Sequence, residues 1–208
     1  TEENPADTNE IREWAGSPSY YRKHTLLRII PTVVSIINLI CIGSAIVGIL
    51  PATVPGGVFF CFVIFSSIFS KGITKLQATY GKKLQILSTY ADQILLTEKK
   101  EMNSPVLQQL KTELTSQNQT ASQAVRQLSK LMNALDQRSN LLMSTILNGL
   151  IFWELRQVMR IEKWKETHAS DLPRWIETIG EIDAYCSLAT FTSVSYTHLR
   201  AHETPEHL

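Results

Sequence analysis

Charge is missing from a long stretch of this chain. No Asp, Glu, Lys, Arg or His occurs from Ile29 to Ser70, although the whole sequence of 208 residues holds 20 Lys and Arg against 19 Asp and Glu. An uncharged stretch of this length is rare in soluble cores, so a simple soluble protein is excluded, and a buried soluble hairpin is the weaker alternative. The formal net charge of only +1 also gives no strong nucleic-acid footprint.

Cysteine is scarce as well. Cys41 and Cys61 lie inside the uncharged stretch and Cys186 lies far from both, so the chain offers neither a disulfide framework nor paired metal-ligand spacing. This usage suits a reducing cytosol. A charged segment that starts at Thr1 precedes the apolar region, so no cleaved signal peptide is predicted and the chain is interpreted as an internal fragment.

The common motifs of catalysis are absent too. The sequence has no Gly-rich phosphate loop ending in Lys-Ser or Lys-Thr, no dinucleotide fingerprint and no Gly-x-Ser-x-Gly elbow. Glu177, Glu181 and Asp183 could share a proton or a metal, but a solvated helix face is the simpler interpretation. Cys186 is expected to be a small core residue, because no His neighbours it. No catalytic, cofactor-binding or metal-binding residue is therefore predicted in this chain.

The uncharged region contains two apolar segments, Leu26 to Leu50 and Thr53 to Phe69. A helix needs about 20 apolar residues to cross a bilayer, so both segments are long enough or nearly so. Pro51 and the run Pro55-Gly56-Gly57 supply the breakers for a tight reversal between them. Residues 26–70 are therefore predicted to form a transmembrane helical hairpin, preceded by a linker or the end of an upstream domain over residues 1–25.

Basic residues flank the predicted hairpin on both sides, while the connection between its helices carries no charge. The flanking residues are Arg22, Lys23, Arg28, Lys71, Lys75, Lys82 and Lys83. Because cytoplasmic flanks are enriched in Lys and Arg, both ends of the hairpin are expected to face the cytoplasm. Asn38, in the middle of the first span, is expected to bond to Ser66 or another span, or to pair locally without a transport role.

A helical domain is predicted over residues 71–193, because apolar residues recur there at steps of three and four. Its first helix carries a stripe from Ile73 to Leu95. The four further predicted helices are Val106 to about Leu114, Ala121 to about Gln137, Asn140 to about Thr167, and Pro173 to about Thr192. The inward-facing residues of the third are predicted to be Ala124, Leu128, Leu131 and Leu135, with Arg126 and Lys130 outside. Those of the fifth are Trp175, Ile176, Ile179, Ile182 and Leu188. The predicted fold class is all-α. In residues 1–17 only Glu10 to Trp14 is predicted to form a helical turn.

The end of the chain has a different origin in this interpretation. Val194 to Thr204 resembles one reading frame of the transposase adapter used in sequencing libraries, so Val194 to Leu208 are excluded from fold reasoning. Without this exclusion, His198, His202 and His207 would look like a metal cluster, because the first two have the i, i+4 spacing of ligands on one helix face.

Four stretches resemble the membrane-associated branch of bacterial MutS-related ATPases. They are Asn103 to Leu110, Ala124 to Asn140, Leu147 to Leu155, and Leu172 to Phe191, which reads LPRWIETIGEIDAYCSLATF. The last is the most specific, because its Ile-Asp-x-x-x-Ser-Leu-Ala pattern resembles the helix that leads from the core and lever region of these proteins into the ATPase domain.

The resemblance implies that the intact protein continues past Phe191 into an ABC-type ATPase that binds ATP and Mg and forms a homodimer. The present chain would be the core and lever portion, without an ATP-binding residue of its own. It would reside in the bacterial inner membrane and couple the ATPase to DNA or another partner. The alternative is a membrane-anchored helical scaffold or signalling coiled coil, in which the stripe from Ile73 to Leu95 pairs with a partner helix.

Overall fold

The structure, a computed structural model, describes residues 5–99, 105, 108–109, 112, 115–116, 119–178, 180–181, 184, 187–188 and 191. The helices are α1 (Pro5–Gly16), α2 (Tyr20–Lys23), α3 (Thr25–Ile46), α4 (Thr53–Lys99), α5 (Ala121–Asp136), α6 (Leu141–Ile151), α7 (Trp153–His168) and α8 (residues 172–178), with a 3-10 turn at Gln137–Ser139. The predicted all-α class is confirmed. Within the described residues the structure adds an antiparallel pairing of β1 (Thr115–Ser116) with β2 (Gln119–Thr120).

Two helices are long and apolar enough to cross a membrane, as the sequence predicts. They are α3 and the first part of α4, Thr53–Ala78. Between them Gly48 has a φ of 82°, a conformation that glycine adopts without a steric penalty, and Pro51 follows shortly after. Most large apolar side chains of α3, such as Leu39, are exposed, and so are Phe60, Ile64, Phe65 and Ile68 in the first half of α4.

The second span and the first helix of the body are one helix. α4 runs for 47 residues across the predicted domain boundary at residue 70, a length of about 70 Å at 1.5 Å per residue. No proline follows Pro55 within it, and Gly72 and Gly81 each cost a helix only about 1 kcal/mol. Ile73, the first residue of the predicted stripe, is fully buried. The side chains of Tyr80 and of residues 82–99 lie outside those described.

The N-terminal segment departs from the prediction of a loop with one helical turn. α1 is a helix of 12 residues, and it buries Ile11, Trp14 and Ala15 in the body. The Trp14 ring stacks on Trp164 of α7, with 6.5 Å between centroids. The spacing of Ile11, Trp14 and Ala15 is that of one helix face, but three apolar residues among many polar ones are too short a pattern to predict a helix.

The core of the body forms around α5 and α7. Ala124, Leu128 and Leu135 of α5 are buried as predicted, Leu131 is half-buried, and Arg126 and Lys130 are exposed as predicted. The indole Nε1 of Trp164 donates to the carbonyl oxygen of Ala124 at 2.8 Å, which joins the two helices. The largest fully buried side chains are Trp175, Phe152, Ile73, Leu128, Leu135, Leu155, Ile161, Leu172 and Val125.

The predicted single helix from Asn140 to Thr167 is wrong. Phe152 adopts the left-handed conformation, with φ 49° and ψ 53°, and separates α6 from α7. Such a conformation costs a residue with a Cβ atom roughly 1–2 kcal/mol. The aromatic packing of Phe152 compensates, because its ring contacts Phe62, Phe65 and Phe69 of α4, with centroids 6.1, 5.8 and 6.3 Å away.

The last predicted helix is confirmed in its first part. Trp175 and Ile176 are buried, whereas Leu188, predicted to face inward, is 64% exposed. Helical periodicity identifies a face, but whether a neighbouring element covers that face depends on the tertiary structure. Ile179, Ile182, Asp183, Cys186 and Val194 to Leu208 lie outside the described residues, as does most of the predicted helix from Val106 to Leu114.

Candidate functional site at the hairpin junction

A network of polar groups joins α4 to the α6–α7 pair where the uncharged stretch ends. Its centre is Arg138, in the 3-10 turn after α5. The guanidinium donates to Glu154 Oε1 at 3.1 Å, to Gln77 Oε1 at 3.1 Å and to Thr74 Oγ1 at 2.6 Å. It also reaches the Ser70 hydroxyl at 3.0 Å. One side chain thereby binds three successive turns of α4 and the first turn of α7.

The carboxylate of Glu154 is the partner of Arg138 in this network. The two side chains are only 8% and 15% exposed, respectively, so water screens their attraction weakly. Glu154 also accepts from the Ser144 hydroxyl at 3.2 Å, and its backbone N–H donates to Asn148 Oδ1 at 3.0 Å. A carboxylate in the first turn of α7 also interacts favourably with the positive end of the helix dipole.

A cavity of about 640 Å³ adjoins the network. It is lined by Ser70, Thr74, Gln77, Leu135, Asp136, Arg138, Ser139, Leu141, Ser144 and Glu154. Its charged groups already have partners, because Arg138 binds Glu154 and Asp136 accepts from Gln77 Nε2 at 2.7 Å. The lining therefore presents hydroxyl and amide groups beside the paired side chains of Arg138, Glu154 and Asp136.

A second network joins α3 to the reversal between α6 and α7. Asn38 Nδ2 donates to the carbonyl oxygens of Gly149 and Leu150 at 3.0 and 3.1 Å, and to Val34 in its own helix at 3.1 Å. The predicted bond to Ser66 is not formed, because the Ser66 hydroxyl donates locally to Val63 at 2.9 Å. Asn38 thus bonds across to another helix, but that helix is α6.

The start of the hairpin is fixed to α7 by a third set of bonds. Glu162 accepts from the backbone N–H groups of Tyr21 and Arg22 at 3.1 and 2.8 Å, and the Arg22 side chain pairs with Glu166 at 3.0 Å. Burial raises the pKa of the Tyr21 hydroxyl, and the charge of Glu162 raises it further. α2 is therefore held at its N-terminus by a buried carboxylate.

Two basic groups of α7 lie among aromatic rings. Burial lowers the pKa of Lys165, whose ammonium lies 5.6 Å from the Trp14 ring centroid and donates to Ser17 Oγ at 3.0 Å. Burial also lowers the pKa of His168, whose imidazole contacts Trp164 and Trp175 at centroid distances of 4.9 and 5.6 Å. The nearby Asp171 opposes that shift.

The carboxylates considered from sequence do not form a site in the part that the structure describes. Glu177 and Glu181 are exposed, and Asp183 lies outside that part. Among the described residues, no group of three or more His, Cys, Asp or Glu side chains could hold a metal ion. Sequence reasoning missed Arg138 and Glu154, whose only local signal is a charged residue at each end of an apolar helix.

Comparison with known proteins adds no relative: no protein family, curated protein or solved structure matches the chain. The geometry of the junction and the sequence resemblance are therefore the basis for a functional assignment.

Proposed function

We propose that this chain is the core and lever portion of a membrane-bound MutS-like ATPase, which couples an attached ATPase domain to the membrane hairpin. The observation that carries the proposal is α4, a single helix that belongs to both regions. A continuous helix transmits displacement along its axis without an intervening hinge. Arg138 and Glu154 connect this helix to α7, so movement of the body is passed to the hairpin rather than lost between them.

The coupling path starts at the C-terminal side of the body, where the ATPase domain would follow. Trp175 of α8 contacts His168, and His168 contacts Trp164 on the same face of α7. α7 in turn carries Glu154 at its other end, bound to Arg138 and through it to α4. Packed rings and a shielded ion pair form a contiguous route from α8 to the membrane helices.

In this proposal the hairpin spans the bacterial inner membrane with both chain ends in the cytoplasm. The basic residues on its two flanks and the uncharged turn between its helices support that orientation. The full-length protein would act as a homodimer, with ATP and Mg bound by the ATPase domain rather than by the present chain. DNA is one partner that the resemblance suggests, and another macromolecule held by the body is equally consistent with a net charge of +1.

Two experiments test the proposal. The reading frame of the source gene beyond Phe191 is expected to encode Gly-x-x-x-x-Gly-Lys followed by Ser or Thr, and a frame without this phosphate loop would contradict it. In the full-length homodimer in liposomes, the spin labels at Ala52 of the two subunits should change their separation when ATP binds. Arg138→Met should abolish the change while ATP hydrolysis persists, and Arg126→Met, on the exposed face of α5, should leave both intact. An unchanged separation in the wild-type protein would contradict coupling.

The scaffold alternative requires the stripe on α4 to be available to another protein. Ile73 is fully buried within the chain, and α5 packs along α4 so closely that the Met132 methyl group lies beside Gly81. The first residue of the stripe is therefore covered within the chain, and α5 occupies the adjoining face of α4 at Gln77 and Gly81, which favours an internal core over an external coiled coil.

A further inference from the structure

α6 is an apolar helix with an uncovered face. Its side chains Leu141, Leu142, Met143 and Ile146 are all exposed, Leu142 to 73%. The helix packs on both helices of the hairpin, and near its end Gly149 lies so close to Phe59 that a Cβ atom there would overlap the ring. The uncovered face of α6 therefore continues the exposed apolar surface of α3 and α4.

The two ends of α6 lie at different depths along the hairpin. Its beginning is close to Ser70, where the uncharged stretch ends, because Leu141 and Ser70 line the same cavity. Its end is bonded to Asn38, three helical turns beyond Arg28 and so roughly 15 Å along α3. A helix of 11 residues is about 16 Å long, which matches half of a hydrocarbon core of about 30 Å.

The end of α6 also has no carbonyl group left over. The last four carbonyl groups of a helix have no hydrogen-bond partner within the helix, and in hydrocarbon no water can donate a hydrogen bond to them. Here Asn148 O accepts from the backbone N–H of Phe152 at 3.2 Å. Asn38 Nδ2 donates to the carbonyl oxygens of Gly149 and Leu150. Arg156 Nε donates to Ile151 O at 2.7 Å.

The reversal itself is shielded in the same way. Phe152 is 1% exposed, and the second end of the Arg156 guanidinium binds Pro31 O and Ser35 Oγ of α3, both at 2.7 Å. Non-helical backbone is tolerated at membrane depth only where protein covers it or where it lines a water-filled cavity. A helix end in contact with water would need none of the three side-chain bonds to the carbonyl groups of Gly149, Leu150 and Ile151.

We infer that α6 is a re-entrant membrane helix. It enters the bilayer leaflet next to the body, lies beside the hairpin with Leu142 and Ile146 in contact with lipid acyl chains, and ends near the midplane, from which the chain returns through α7. The inference rests on the proposed membrane hairpin and adds a third element within the bilayer.

The test uses the chain in liposomes with Cys41, Cys61 and Cys186 replaced by alanine and a nitroxide label at one introduced cysteine. Collision of the label with oxygen, which is enriched in lipid, is compared with collision with a water-soluble nickel chelate. Labels at Leu142 and Ile146 should show an oxygen-to-nickel ratio several-fold above that at Gln123, which is exposed on α5. The label at Ile146 should lie deeper than that at Leu142.

A label at Ile64, exposed on α4, reports on the hairpin independently. If Ile64 shows the lipid signature while Leu142 and Ile146 behave like Gln123 or collide with neither reagent, α6 lies in water or under protein and the inference is wrong. If Ile64 itself behaves like Gln123, the membrane hairpin fails and the inference fails with it.

Discussion

The hairpin and the body place the same residue types in opposite positions. Leu39 of α3 is 75% exposed, whereas Leu128 of α5 is fully buried. In α5, apolar side chains are covered by protein and charged ones such as Arg126 and Lys130 face outward. In α3, most large apolar side chains face outward and the buried Asn38 bonds inward to α6. The hairpin helix therefore has the exposure pattern expected in lipid, and α5 has the pattern expected in water. The polar junction lies at the boundary between the two regions.

The largest loss of stability is expected from a substitution at the polar junction between the two regions. Arg138→Met leaves the Glu154 carboxylate shielded and without its cation, a change that costs about 3–5 kcal/mol in buried pairs. The free energy of unfolding in detergent micelles, measured by denaturant titration, should fall by about 3 kcal/mol. Arg138→Met/Glu154→Leu, which removes both charges, should recover most of the loss.

Arg126→Met is the matched control for that experiment, because Arg126 is exposed on the helix that precedes Arg138. A surface substitution of this kind is expected to change stability by no more than about 0.5 kcal/mol. If Arg138→Met lies within the same range, the junction does not hold the two regions together.

A smaller effect is expected where α6 packs on the hairpin. Gly149→Ala forces a methyl group against the Phe59 ring, and overpacking of this kind costs about 1–3 kcal/mol. Gly43→Ala in α3 meets no atom within 4 Å and should stabilise its helix by up to about 1 kcal/mol. Thermal unfolding in micelles compares the two, and Phe59→Leu should partly rescue Gly149→Ala. If the two alanine substitutions change the thermal midpoint equally, α6 does not pack on the hairpin as described.

Within the body, the lowered pKa of His168 predicts that the free energy of unfolding depends moderately on pH. Its pKa is lowered in the folded state, so between that pKa and the ordinary value of about 6.5 the unfolded chain binds more protons. This contribution to stability is present above about pH 6.5 and is lost as the pH falls below it, with a slope below about 1.4 kcal/mol per pH unit for one proton. Unfolding midpoints from pH 8 to 5 should show the slope.

Replacement of His168 by Phe should remove this slope, since Phe keeps the packing between Trp164 and Trp175 without a titrating group. His24→Gln, at an exposed position, should leave the slope in place. A slope that survives His168→Phe would assign the pH dependence to another group.

The two regions also differed in how well the sequence predicted them. The hairpin and the inward face of α5 are visible as local patterns, one of composition and one of periodicity. The reversal at Phe152 carries no Gly or Pro, and its conformation is stabilised by rings of α4 far away in the chain. The Arg138 network joins residues as much as 68 positions apart. A local sequence pattern contains no information on such pairs, so the candidate site can be identified only in the tertiary structure.

The smallest effect is expected at the C-terminal end, outside the comparison of hairpin and body. Val194 to Thr204 resembles translated adapter sequence, so the segment from Val194 to Leu208 is expected to lack a history of selection for packing and to contribute nothing to either region. Its deletion should leave helix content and the thermal midpoint unchanged, as measured by circular dichroism, and a chelator should have no effect on the intact chain. A midpoint lowered by several degrees on truncation, or one equivalent of zinc bound through His198 and His202, would instead make the segment part of the fold. In that case the body would extend beyond Phe191 in this chain, and the proposed position of the ATPase domain would have to be revised.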